Sequence, residues 1–200
     1  MKNILILGPL WRNNKIFNEL KKNHKILVTN KKINKKYIIQ KKIDILITSG
    51  YPFLVKKDIL NLVKIKINLH MSYLPYGRGI MPNLWSFYER FPSGITIHEL
   101  DNNFDTGKIL VQKKIYFKKL KIRTLKTTHD YLLIQLEKFF FSNYRKIFNN
   151  KIKGYKQNKF IKINRYHSRF ESEKLIKKFK KKWNTKIEEI IKYSKKTLNK

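Results

Sequence analysis

Through the first half of the chain, short runs of β-branched residues alternate with stretches whose apolar positions recur at helical spacing. The runs predict strands at Asn3–Leu7, Lys25–Val28, Ile43–Thr48 and Ile65–Leu69, with helices near Lys15–Lys22, Tyr37–Lys41 and Lys56–Leu62 between them. This alternation implies an α/β fold, a mostly parallel Rossmann-like sheet flanked by helices. A loop-rich section holding Pro75, Gly77, Gly79, Pro82 and Pro92 follows, and two more strands are predicted at Gly94–His98 and Lys108–Phe117. In an open parallel sheet, ligands bind beyond the carboxyl ends of the strands, and Asn68 and His70 stand at such an end.

Further along, Thr124 fits a helix cap. Leu132, Leu136, Phe139, Phe140, Tyr144 and Ile147 then recur as the apolar face of a long amphipathic helix, with the aromatics read as core. The tail repeats the device. Leu175, Ile176, Phe179, Trp183, Ile187, Ile190 and Ile191 fall on one stripe and Lys on the other, which predicts one more helix lying on the domain, or else an arm for an acidic partner.

Composition narrows the picture. Two hundred residues suffice for one catalytic domain, expected over 1–150, and a basic, partly helical extension over 151–200. There is no Cys, which excludes disulfides, thiolate metal sites and cysteine nucleophiles and suits a cytoplasmic protein. No apolar stretch approaches the roughly 20 residues that span a bilayer, and the first strand is too short for a secretory signal core. The formal net charge is +34, from 47 Lys and Arg against 13 Asp and Glu. Most of the cations are Lys spread through every segment beside abundant Ile and Asn. That is the look of drift in an AT-rich genome, and the alternative is a functional polyanion-binding surface.

The chemistry concentrates between Asn68 and Gln112. In order, the chain reads Asn68-Leu-His70-Met-Ser72-Tyr-Leu74-Pro75, Arg78-Gly79, Gly94-Ile-Thr96-Ile-His98 and Asp105-Thr106-Gly107. Each piece alone is commonplace, but all of them in this order are specific. The segment resembles the folate-dependent formyltransferase family, whose pattern is Asn-x-His-x-Ser-x-Leu-Pro, Arg-Gly, Gly-x-Thr-x-His and Asp-x-Gly. The resemblance extends over roughly residues 1 to 150 in the order of strands and helices.

It implies a cytoplasmic enzyme that uses 10-formyltetrahydrofolate as formyl donor, with Asn68, His70 and Asp105 in the catalytic positions. The loop from Glu99 to Gly107 matches the segment that wraps the folate pterin, which gives Glu99, Leu100, Asp101, Thr106 and Gly107 as donor-binding candidates. Ser72, Arg78 and Trp85 are the substrate candidates. No metal or nicotinamide is implied, and His70, His98 and Asp105 have no spacing that resembles a known ligand set. His98 reads equally as a site residue or a hydrogen-bonded core histidine, and His24 and His129 read as surface residues.

The residue types suit the reaction. Formyl transfer between nitrogens passes through a tetrahedral species bearing an oxyanion, which calls for an aimed hydrogen-bond donor and a proton shuttle. Asn68 and His70, two residues apart on a strand, point to one face. A carboxylate from another loop can orient the imidazole, and Gly107 is expected to allow a sharp turn beside Asp105.

Three acceptors are usual in the family. A methionyl-tRNA acceptor suits the charge, but the enzymes of that type carry about a hundred further carboxy-terminal residues where about fifty remain here. A glycinamide ribonucleotide acceptor goes with a Gly-Ser-Asn loop that cradles a phosphate, whereas this chain has Gly8-Pro9-Leu10-Trp11-Arg12-Asn13. The run Pro82-Asn83-Leu84-Trp85-Ser86-Phe87, with Gln157 and Tyr166-His167-Ser168, looks like the short sugar N-formyltransferases, so a nucleotide-linked amino sugar is the favoured acceptor. The alternative of another class is a non-catalytic basic RNA-binding protein on a decayed formyltransferase scaffold.

Overall fold

The computed structural model describes residues 1–118, 120–157 and 165–198. The chain divides into two compact units: Met1–His70, Ile97–Val111 and Glu137–Lys156 form the first, and Met71–Thr96, Gln112–Leu136 and Gln157–Lys200 the second. The extension expected over 151–200 includes 158–164, 199 and 200, which lie outside the described residues.

The first unit opens with β1 (Asn3–Leu7), α1 (Leu10–Leu20), β2 (Lys25–Thr29), α2 (Lys35–Gln40), β3 (Ile45–Thr48), α3 (Lys57–Leu60) and β4 (Ile65–His70). β5 (Arg78–Gly79) and α4 (Pro82–Tyr88) belong to the second unit, while β6 (Gly94–Glu99), β7 (Ile109–Lys114) and α5 (Leu125–Phe148) pass from one unit to the other. Among the described residues, six strands form one sheet in the order β2-β1-β3-β4-β6-β7. β1 pairs in parallel with both β2 and β3, and β3 with β4. Parallel strands covered on both faces are apolar throughout rather than alternating, which is why Ile4, Leu5, Ile6, Leu7 and Ile45, Leu46, Ile47 are all fully buried. Leu5, Leu7 and Leu46 share one hydrophobic cluster with Ile38 of α2 and Ile59 and Leu60 of α3.

Register decides where the site falls. Leu7 stands opposite Thr48, and Thr48 opposite Asn68, so the carboxyl ends of β1, β3 and β4 are level. The chain leaves β1 for β2 on one side and returns to β3 on the other, a topological switch point of the kind that opens a ligand crevice.

In the second unit, β8 (Tyr166–His167) pairs in parallel with β5, and α6 (Arg169–Ile176) and α7 (Ile187–Leu198) follow. α4 lies in the section expected to be loop. Pro82 starts it at the first helical turn, where proline costs nothing, and Leu84, Trp85 and Phe87 are buried. The single tail helix expected from the stripe is two. A 3-10 turn (Lys182–Asn184) lies between α6 and α7, and just before α7 Thr124 and Lys186 form an antiparallel bridge, with Leu125 N donating to Thr185 O and Ile187 N to Arg123 O. Thr124 caps α5 as expected, its hydroxyl accepting from Thr127 N at 3.1 Å.

Candidate active site

Four side chains of the first unit meet at the carboxyl end of β4. The Asn68 amide is held on three sides. Its Oδ1 accepts from Thr48 Oγ1 at 2.8 Å, and its Nδ2 donates to Asp105 Oδ1 at 2.9 Å and lies 3.1 Å from His98 Nε2. His98 Nδ1 is 2.7 Å from the carbonyl oxygen of Glu99. A carbonyl only accepts, so Nδ1 carries the proton and Nε2 is left to accept from the Asn68 amide. His70 Nδ1 lies 3.7 Å from Asp105 Oδ1, and the two imidazoles meet edge to face at 6.1 Å. The side chains of His70, His98 and Asp105 are 8%, 1% and 10% exposed, so this polar group is largely withdrawn from water, where electrostatic contacts are strong.

Asp105 reaches the group through backbone geometry rarely taken by non-glycine residues. Its φ is +56°, left-handed, a conformation that Asp tolerates better than most. The sharp turn expected at Gly107 therefore falls on Asp105 itself. Gly107 serves a different need: a Cβ there would run into the backbone carbonyl of Glu99, so only glycine lets the loop close. Thr106 Oγ1 donates to both oxygens of Asp101, at 2.6 and 2.8 Å, and fastens the same loop.

The other sequence-derived candidates separate. Leu100 packs against the hydrophobic core, with its amide bonded to Lys66 O at 3.0 Å. Glu99 lines a cavity of about 220 Å³ with Lys64, Lys66 and Asn150. In the second unit, Ser72 Oγ donates to Tyr76 O at 2.7 Å and shapes the turn, and Arg78 sits half-buried in β5. Trp85 is 4% exposed, its ring stacked on His167 at 3.8 Å and its Nε1 donating to Ser172 Oγ at 2.9 Å. The Tyr166-His167-Ser168 run builds β8 and the capping box of α6. His24 and His129, expected at the surface, are half-buried. His24 lies against Phe148, and burial lowers its pKa, while His129 lies beside Trp183.

Two features of the first unit escaped the sequence. A cavity of about 550 Å³ is lined by Tyr51, Pro52, Phe53, Leu54, Phe104, Lys32 and Lys56, among others, and reaches Phe104 beside Asp105. Tyr51 and Phe53 meet edge to face at 5.4 Å, Lys32 Nζ sits 5.0 Å from the Phe53 ring centroid, and burial raises the Tyr51 pKa. The second feature is Arg12, 8% exposed, whose guanidinium pKa is lowered to about 10 by burial, with Glu137 acting the other way.

Residues 14–130 match the family model described as Formyl transferase, more than half of the chain. The chain belongs to the formyl transferase family. The structure is similar to that of the formyltransferase PseJ from Anoxybacillus kamchatkensis, in complex with UDP-4,6-dideoxy-4-formamido-L-AltNAc and tetrahydrofolate. The TM-score is 0.82 and the identity 33%, over 96% of this chain and 99% of that one. Among curated relatives, the methionyl-tRNA formyltransferase of Anaeromyxobacter dehalogenans is 38% identical over 74 residues, 36% of this chain. The dTDP-4-amino-4,6-dideoxyglucose formyltransferase of Mycobacterium bovis is 38% identical over 48 residues, 24% of this chain. The chain spans only 24% and 20% of the length of these two members of the formyl transferase family.

Proposed function

We propose that the protein transfers a formyl group from 10-formyltetrahydrofolate to the amine of a nucleotide-linked amino sugar, in the cytoplasm. The observation that carries this is the hydrogen-bonded group of Asn68, His98 and Asp105 with His70 beside it, in a chain that matches PseJ over nearly its whole length. The formyl donor supplies an activated carbon on nitrogen. The aromatic cavity beside Asp105 suits the flat part of such a molecule, and Lys32 and Lys56 suit its anionic tail.

The residues divide the work of the transfer. As the acceptor amine bonds to the formyl carbon, the carbonyl oxygen gains negative charge, and an Asn68 N–H stabilises it. The longer of the two Asn68 amide contacts, to His98, is the one that an oxyanion displaces. The amine gives up a proton and the departing folate nitrogen takes one, and in this reading His70 carries it. Asp105 accepts from Asn68 and so orients its amide, and it stands 3.7 Å from His70, where it can orient that imidazole too.

Ser72, Arg78 and Trp85 remain our candidates on the acceptor side. Trp85 would act through the shape of α4, since its ring face and its donor are engaged within the protein. Glu99, Leu100, Asp101, Thr106 and Gly107 remain candidates for holding the donor, Asp101, Thr106 and Gly107 by fixing the loop. Cytoplasmic placement is supported by the absence of Cys, and among the described residues no helix is long and apolar enough to cross a membrane.

A tRNA acceptor is the second reading, carried by the methionyl-tRNA formyltransferase relatives and the basic charge. Offering the purified protein 10-formyltetrahydrofolate with UDP- or dTDP-linked 4-amino sugars, and separately with charged initiator tRNA, tests both. Release of tetrahydrofolate with the sugars supports the first reading, and formylation of the tRNA alone rejects it.

A further inference from the structure

Arg12 lies in the first turn of α1, immediately after β1, and is nine-tenths buried. Among the described residues its side chain makes one hydrogen bond, from Nε to Ser49 Oγ at 3.3 Å. It forms no salt bridge among the described residues, and no Asp or Glu occurs in the stretches outside them. Glu137 acts on it electrostatically but stands beyond contact, and is itself paired with Lys15 at 3.0 Å. Buried guanidinium groups are normally paired, because a lone charge withdrawn from water is costly. This one also has space made for it. Gly50 (φ +70°) carries no Cβ, and one would press on the Arg12 side chain. The amino end of α1 adds to the positive field, since no side chain caps it.

The position is informative. Ser49 and Gly50 follow the carboxyl end of β3, and Gly8 and Pro9 that of β1, so Arg12 stands at the switch point of the sheet. β3 alone separates β1 from β4, and two strand spacings are about 10 Å. That is about the reach from an amine on a hexose ring to the phosphates at its anomeric carbon. Two anions are available to the enzyme, the glutamate of the folate donor and the diphosphate of the acceptor. The aromatic cavity already provides Lys32 and Lys56 for the former.

We propose that Arg12 is the anion anchor of the acceptor site and takes the diphosphate of a nucleotide-linked sugar as its missing counter-ion. The inference rests on the acceptor class proposed above. It differs from a glycine-rich phosphate loop in that charge on a buried fork, rather than a row of backbone amides, holds the anion.

Calorimetric titration of the whole protein with UDP, dTDP, uridine and tetrahydrofolate tests it, on wild type, Arg12→Met and Arg12→Lys. Arg12→Met is expected to weaken UDP or dTDP binding roughly thirtyfold or more, while uridine and tetrahydrofolate bind as before. Arg12→Lys, which keeps the charge without the fork, should fall between. The melting temperature of the ligand-free Met variant should not drop, because a buried charge with no counter-ion in contact has been replaced by an apolar chain of similar length. A structural clamp on Ser49 predicts a lower melting temperature and unchanged diphosphate affinity, and that result overturns the proposal. Loss of tetrahydrofolate affinity in place of diphosphate affinity overturns it too, by assigning Arg12 to the donor. Should Arg12→Met not fold, unchanged diphosphate affinity in Arg12→Lys rejects it equally. Formyl transfer measured in parallel separates the two ideas. Turnover of an amino sugar with an unchanged acceptor KM in Arg12→Met sinks the anchor alone, and Arg12-dependent UDP binding without any turnover sinks the reaction alone.

Discussion

The Thr48 hydroxyl lies 2.8 Å from Asn68 Oδ1, because β3 and β4 are in register with these two residues side by side. A hydroxyl there donates to the amide oxygen and so fixes which way the amide faces, with its N–H groups toward Asp105 and His98. Thr48→Val keeps the shape and removes the donor. Turnover is expected to fall about tenfold, the worth of one hydrogen bond, with both KM values nearly unchanged, and Thr48→Ser should restore it. A loss in KM alone would assign Thr48 to binding.

Removing the groups proposed to act in the transfer should cost more. Asn68→Ala and His70→Ala are each expected to lower kcat by about a hundredfold or more, the scale of losing an oxyanion donor or a proton shuttle. Steady-state kinetics on folded variants checks this, and wild-type turnover in either removes that residue from the mechanism.

Phe104 adjoins Asp105 and lines the aromatic cavity. If the donor lies there, Phe104→Ala loses a ring contact and tetrahydrofolate should bind about tenfold more weakly, with the acceptor KM unaffected. Fluorescence or calorimetric titration with tetrahydrofolate gives the answer.

Gly107→Ala places a methyl group against the Glu99 carbonyl and must shift the loop that carries Asp105. Misplacement by about an ångström costs on the order of a hundredfold in rate, so kcat should fall far more than the melting temperature. Measuring both on the same sample distinguishes a displaced loop from a loosened fold.

The strands were legible because residues buried on both faces must be apolar throughout, and runs such as Asn3–Leu7 leave little room for another interpretation. α4 was hidden because Pro82 reads as punctuation, although proline at the first turn of a helix is also a start signal. The tail misled for the opposite reason. Its apolar stripe has helical spacing from Leu175 to Ile191, yet α6 ends at Ile176, a 3-10 turn occupies Lys182–Asn184, and the bridge of Lys186 to the distant Thr124 holds the chain extended just before α7.

α6 offers a stability test away from the chemistry. Hydrogen bonds from the Ser168 amide and then its hydroxyl hold the Glu171 carboxyl below its ordinary range. A depressed folded-state pKa adds stability that is present above the unfolded value of about 4.3 and is lost as pH falls through the folded value. Ser168→Ala removes the hydroxyl that accepts from Glu171 N and donates to its carboxyl, and should cost about 1 kcal/mol at neutral pH, a difference that narrows without vanishing as pH falls through the folded value, since the cap on Glu171 N does not depend on charge. A gap of the same size in acid as at neutral pH would mean that the hydroxyl does not act on the Glu171 carboxyl.

The site was half legible. Asn68, His70 and Asp105 stand out as a spaced pattern of reactive residue types, and two of them share one strand face by simple alternation. Thr48 could not be found that way, since its link to Asn68 depends on the pairing of β3 with β4. Arg12 escaped because a lone Arg among 47 basic residues carries no signal until its burial is known.

The most direct test follows tetrahydrofolate release when purified protein is mixed with 10-formyltetrahydrofolate and a UDP-linked 4-amino sugar. One tetrahydrofolate is expected for each formamido sugar formed, and the yield should collapse in Asn68→Ala. Failure to consume the donor with any nucleotide-linked amino sugar, by protein that binds tetrahydrofolate and is fully folded, would contradict the account.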